Sequence, residues 1–120
     1  MAVPSSIARL TDIIEAVELI RGEIAGVTFQ NLETDKRKRW LVERGIKIIS
    51  EASRHLSDEL KARHPEIPWS KVAGIGNVLR HEYERVAHDV LWRVARDDLP
   101  PLEKVCREEL AMSQAGDVAP

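Results

Sequence analysis

Four side chains with useful chemistry crowd into residues 77–83: Asn77, Arg80, His81 and Tyr83. An imidazole titrates near neutrality, so His81 can take a proton from a ribose 2′-hydroxyl or return one to a leaving oxygen. An amide and a guanidinium can orient a phosphate and stabilise the charge that develops on it. A phenol can position substrate or accept a modification. Asn77 precedes His81 by four residues, so on a helix the two share a face. The grouping suits metal-independent cleavage of RNA, and its plain alternative is a solvated polar helix face. Gly74 and Gly76 lie just upstream, where a helix would favour alanine.

Other candidate constellations are weaker. His81-Glu82 starts like a zinc-protease helix, but that motif needs a second His at position 85, which is Arg85. His88-Asp89 adds no complete ligand set, so neither metal nor cofactor is expected. Gly74-Ile75-Gly76 has no preceding strand and no third glycine, which favours a small-residue helix contact or local flexibility over a phosphate loop. Cys106 falls on an apolar stripe and reads as a small buried hydrophobe. His55 and His64, among charged residues, are expected at the surface or near a helix C-terminus.

The basic run Lys36-Arg37-Lys38-Arg39, extended by Arg44 and Lys47, is a candidate nucleic-acid contact, and its alternative is a solvated helix face. A net charge of −2 over 120 residues does not advertise a nucleic-acid binder by itself. The length fits one domain with a modest core. A single cysteine allows no internal disulfide and suits a reducing cytosol. No apolar run approaches the roughly 18 residues of a membrane span, and no leader pattern is seen at the N-terminus. A cytoplasmic location is therefore expected.

The elements that must position this chemistry read as helices. Ile7, Leu10, Ile14, Val17 and Ile20 recur at steps of three and four, which predicts a helix over 5–24. Residues 25–34 read as a connector pinned by Phe29, with Asn31 or Thr34 as the next cap. One long helix is expected over 35–63, with Leu41, Ile48, Ile49, Ala52, Leu56 and Leu60 as its stripe. Gly45 on that stripe would let another helix come close. Pro65 bounds it. Pro68 suits the first position of a third helix, which carries the 77–81 cluster and is expected to bend or break near Tyr83. A fourth helix runs over 86–96, Asp97–Pro101 reads as a junction, and a short last helix follows. Residues 1–112 are expected as the domain and 113–120 as a flexible tail. No period-2 strand is evident. The expected fold is all-α, a single-domain antiparallel bundle of four to five helices.

Arg9-Leu10, Asp12-Ile13, Glu15-Ala16, Ile48-Ile49, Glu51-Ala52, Ile67-Pro68-Trp69, Asn77, His81, Tyr83, Val86, Trp92 and Asp98-Leu99-Pro100 follow in a specific order and spacing. In this the chain resembles the HepT-like proteins, which have a HEPN-type helical domain. The resemblance covers nearly the whole chain. It implies a ribonuclease toxin of a type VII-like toxin–antitoxin pair, neutralised by a nucleotidyltransferase antitoxin. It also implies a homodimer in which the motifs of two chains face each other. The family motif is an Arg, four to six residues, a His, any residue and a Tyr, usually written Arg-Asn, three residues, His-x-Tyr. The motif Arg and His are its catalytic residues, and the Tyr can receive AMP from the partner. Asn77, His81 and Tyr83 match position by position.

The motif Arg is replaced by Gly76. Arg80 lies four residues on, so its long side chain can swing toward the space that Gly76 leaves. The catalytic set is then His81, Asn77 and Arg80, with Tyr83 as the modified residue and Lys36, Arg37, Lys38 and Arg39 as RNA contacts. The alternative is a catalytically degenerate dimer that docks the nucleotidyltransferase without cleaving RNA.

Overall fold

The computed structural model describes the backbone over residues 4–81 and 85–118, and side chains over 6–76 and 88–114. It is an all-α bundle, and no strand occurs among the described residues.

Helix α1 spans Pro4–Ile24. Leu10, Ile13, Ile14, Val17 and Ile20 are buried along one side, as the spacing predicts. Gly26 ends it with a φ of 72°, a left-handed conformation that costs glycine nothing. The expected connector then folds into a short helix, α2, over Phe29–Thr34. Thr28 and Asn31 form a reciprocal cap: Asn31 N–H donates to Thr28 Oγ1 at 3.1 Å, and Thr28 N–H to Asn31 Oδ1 at 3.3 Å. Asn31 is thus committed to α2, and neither it nor Thr34 caps the next helix. Asp35 does so, accepting from the N–H groups of Arg37 and Lys38 at 3.0 and 3.2 Å.

Helix α3 spans Lys36–Arg54 and buries Val42, Gly45, Ile46, Ile49, Ala52 and Ser53. Its buried stripe starts at Val42; Leu41, one residue round the helix, is exposed. Gly45 is where α1 comes close. A Cβ there would lie 2.6 Å from Ile20 Cδ1 and 2.8 Å from Ile20 Cγ1. Ile20 is fully buried, so moving aside displaces its core neighbours. Gly45→Ala is therefore expected to destabilise the fold by up to ~2 kcal/mol, overpacking of ~1–3 kcal/mol less about 1 kcal/mol of gained helix propensity. Gly22→Ala, where a Cβ meets nothing within 4 Å, is expected to stabilise by up to ~1 kcal/mol. Urea unfolding of the two variants checks the opposite signs.

The long helix expected over 35–63 is two helices. α3 stops at Arg54, and Ser57 caps α4, Asp58–Ala62, by accepting from Leu60 N–H at 3.1 Å. Leu56 and Leu60 remain buried across the break, so the apolar periodicity hid it. Trp69 Nε1 donates to the carbonyls of Lys61 and His64 at 3.1 and 3.0 Å, tying the end of α4 to the start of the next helix. That helix, α5, spans Trp69–His81. Pro68 sits one residue before it, its carbonyl accepting from Lys71 and Val72.

Helix α6 spans Arg85–Arg93. The expected junction at 97–101 is not a break. Val94–Asp98 forms a π-helical turn, with Leu99 N–H reaching back to the Val94 carbonyl, and α7 runs on over Leu99–Val118. Pro100 and Pro101 have no N–H to donate backward, and the wider turn accommodates their missing bonds. Phe29 meets the Trp92 ring edge-on, with centroids 6.1 Å apart, which pins α2 to α6.

Two buried carboxylates fasten α7. Glu103 accepts from Arg21 of α1 at 2.5 Å and from Arg107 at 2.8 and 3.0 Å. Glu109 accepts from Arg63 at 2.6 and 3.2 Å and meets His64 Nε2 at 2.6 Å. His64 lies just past the end of α4, one of the two places expected for it, and is largely buried against α7, whereas His55 is exposed beside Glu51, as expected. No helix among the described residues is long and apolar enough to cross a membrane.

Candidate active site

Asn77, Arg80 and His81 lie on the last two turns of α5, with His81 its final residue. The predicted helical placement of the cluster is met, and positions 77 and 81 share one face while 76 and 80 share the next. Tyr83 lies outside the described residues, as does the bend expected there.

The helix is anchored on α3 through its glycine-rich stretch. Gly76 is buried. Ser50 Oγ donates to the Ala73 carbonyl at 2.7 Å. Arg54 reaches the same oxygen through Nε at 3.2 Å and Nη2 at 3.0 Å. Arg54 Nη1 pairs with Glu51 at 2.8 Å, and His55 Nε2 lies 3.2 Å from the other oxygen of that carboxylate. The hydrogen bond from His55, with the nearby charge of Arg54, holds the Glu51 carboxyl below the usual carboxylate range. Gly74 takes no part in this contact, since a Cβ there would meet nothing within 4 Å. The small-residue reading of the pair therefore holds for Gly76 alone.

The basic run stands elsewhere. Lys38 is paired with Glu23 at 3.0 Å, and Arg39 donates to the Leu32 and Glu33 carbonyls. Lys36 lies over the Trp40 ring at 5.6 Å. Lys36 and Arg37 are exposed. About 16 Å of helix separates Arg39 from Ser50, where α5 is anchored. Nearer to that anchor, Arg9, Arg44 and Lys47 line a groove between α1 and α3 that also holds Asp12 and Glu51, and Lys47 is paired with Glu43 at 3.0 Å. Arg44 and Lys47 are neighbours on α3, and Arg9 is brought to them by the packing of α1. Only Arg44 and Lys47 could be guessed from the run itself.

Cys106 is fully buried, and burial pushes its thiol up to about 12. It carries no nucleophilic chemistry near neutral pH. Among the described residues no three His, Cys, Asp or Glu side chains are placed to hold a metal ion.

Comparison with known proteins gives this geometry its context. The family model described as Ribonuclease HepT-like matches residues 13–109. The chain is 38% identical over 94 residues to the Probable ribonuclease HepT of Thermococcus cleftensis, covering 78% of this chain and 86% of that protein. It is 29% identical over 97 residues to the Putative RNase MJ1380 of Methanocaldococcus jannaschii, covering 81% and 89%. It is 30% identical over 101 residues to the Putative RNase TTE0752 of Caldanaerobacter subterraneus subsp. tengcongensis, covering 84% and 90%. No solved structure matches the chain. A match spanning α1 to α7, with relatives covered over most of their length, places this chain in the HepT-like ribonuclease family.

Proposed function

We propose that this chain is a metal-independent ribonuclease, the toxin of a type VII-like toxin–antitoxin pair, acting as a homodimer. The observation that carries the reading is Asn77 and His81, one turn apart at the end of α5, in a chain of a ribonuclease family. His81 takes the 2′-hydroxyl proton of RNA, and the 2′-oxygen attacks the adjacent phosphorus. The P–O5′ bond breaks, and the leaving oxygen receives a proton. Asn77 orients the phosphate, and a guanidinium offsets the developing charge, Arg80 being the one on the same helix. Arg9, Arg44 and Lys47, with the exposed Lys36 and Arg37 and their neighbours Lys38 and Arg39, attract the RNA backbone, an attraction that weakens as salt rises. Tyr83 is the AMP acceptor for the nucleotidyltransferase antitoxin, and the protein works in the cytoplasm.

The test is incubation of the purified protein with tRNA and mRNA in EDTA. Cleavage by the parent that is lost in His81→Ala supports the reading. Equal cleavage by both, or none by the parent, removes it. A second reading is favoured by Gly76 itself: a dimer that has lost cleavage and only docks the nucleotidyltransferase. An inactive parent that still forms a complex with that partner on a sizing column supports it.

A further inference from the structure

The space beside Gly76 is already occupied by an arginine from another helix. A Cβ at Gly76 would meet Ser50 Oγ at 3.4 Å, Ser50 Cβ at 3.7 Å and Arg54 Nη2 at 3.9 Å. Arg54 is far from α5 in sequence, at the last turn of α3. Its guanidinium is held on three sides: by the Ala73 carbonyl through Nε and Nη2, by Ser50 Oγ at 3.4 Å, and by Glu51 through Nη1. Ala73 and Gly76 are three residues apart, so both belong to the α5 surface that meets α3. The Arg54 side chain is nevertheless 44% exposed, so an RNA phosphate can reach it.

We propose that Arg54, and not Arg80, supplies the guanidinium that binds and stabilises the scissile phosphate beside His81. The inference rests on the ribonuclease reading above. The geometry makes Arg54 the better candidate in two ways. Its charge is fixed in place before substrate arrives, and preorganised charge is what stabilises a transition state. It also sits at Gly76, five residues before His81, which is about 7.5 Å along the helix axis and about 140° round it, so the phosphate bridges the two across the edge of α5. As the 2′-oxygen–phosphorus bond forms and the P–O5′ bond breaks, negative charge gathers on the non-bridging oxygens. Arg54 offsets that charge and moves no proton, since a guanidinium does not deprotonate in proteins. A Cβ alone fits at position 76 in ordinary contact, whereas a longer side chain there competes with Arg54 for the same space.

Cleavage of tRNA in EDTA is compared for the parent, Arg54→Ala, Arg80→Ala and the double variant Arg54→Ala with Gly76→Arg. Thermal melting of each by circular dichroism separates loss of folding from loss of chemistry. Arg54→Ala is expected to cut the rate ~10²–10³-fold, the usual cost of one charge-stabilising donor. Adding Gly76→Arg to it is expected to recover at least tenfold, because the removed side chain vacates the space. A merely structural tether to Ala73 would not be rescued that way. An active parent whose Arg54→Ala variant cleaves at the parental rate overturns the inference and leaves the ribonuclease reading standing. So does an Arg54→Ala variant that melts like the parent, has lost activity and stays inactive with Gly76→Arg. A parent that cleaves nothing overturns both.

Discussion

Alanine at His81 is expected to slow RNA cleavage by ~10²–10⁴-fold, the range that one general acid–base group contributes. His81 is the final residue of α5, one turn after Asn77. In the proposed mechanism the proton that His81 moves is in flight only in the transition state, so kcat and kcat/KM should fall together while KM stays near the parental value. Loss through misfolding would instead lower the amount of active protein and the melting temperature. Single-turnover cleavage of a short labelled RNA, with melting curves on the same samples, distinguishes the two. EDTA belongs in every reaction, because metal-ion contamination can hydrolyse RNA without any protein. A variant that keeps more than a tenth of the parental rate would remove His81 from the chemistry.

Arg63→Ala is expected to be the most damaging substitution among the surface-reaching charged residues of the Glu109 cluster. Glu109 is almost wholly buried, its side chain only 4% exposed, and Arg63 neutralises it with two hydrogen bonds. Removing one partner of a buried pair costs ~3–5 kcal/mol, and the 44% exposure of Arg63 lets solvent reduce that to about 2–3 kcal/mol. The effect carries a pH signature. The hydrogen bonds from Arg63, then those of His64, hold the Glu109 carboxyl below its ordinary value against the opposing effect of burial. A carboxyl lowered in the folded state stabilises the fold above its unfolded value, and that contribution disappears as pH falls through the folded value. The gap between parent and Arg63→Ala should therefore be full at pH 7 and shrink in acid below the ordinary carboxylate range. Urea melts at pH 7, 5 and 3 measure it, and a gap that grows on acidification would contradict this account.

Much of this architecture was legible because one helical face after another is buried. Leu10, Ile13, Val17 and Ile20 announce α1, and Gly45 announces a close crossing that Ile20 fills. Local competition was harder to see. Ser57 caps a helix in the middle of an unbroken apolar repeat, and repeat and cap cannot be told apart without knowing what Leu56 and Leu60 touch. The Asp-Asp-Leu-Pro-Pro sequence looks like a stop, yet two prolines at the start of a helix cost little once the preceding turn widens. At the candidate site, the helix bearing Asn77, Arg80 and His81 was readable, since its spacing and the family motif agree. Arg54 was not. Its relation to Gly76 spans 22 positions of sequence and exists only because α3 and α5 pack together. The same is true of Glu109 with Arg63 and His64, which join residues at opposite ends of the second half of the chain.

The π turn at Val94–Asp98 acts as a phase shifter. One residue more than an α turn needs is stored there without a loop to hold it. Each helical residue advances the side-chain direction by about 100°. The stored residue therefore sets α6 and α7 on different angular registers although they form one continuous rod. Leu91 before the turn and Val94 at its start, and Leu99 and Leu102 after it, all reach the same core. Written as a single ideal helix, the rod would aim those two pairs in different directions. The two helices following α5 are thus matched to the bundle by a count of residues, so that a one-residue deletion here would rotate a whole face and not merely shorten a connection.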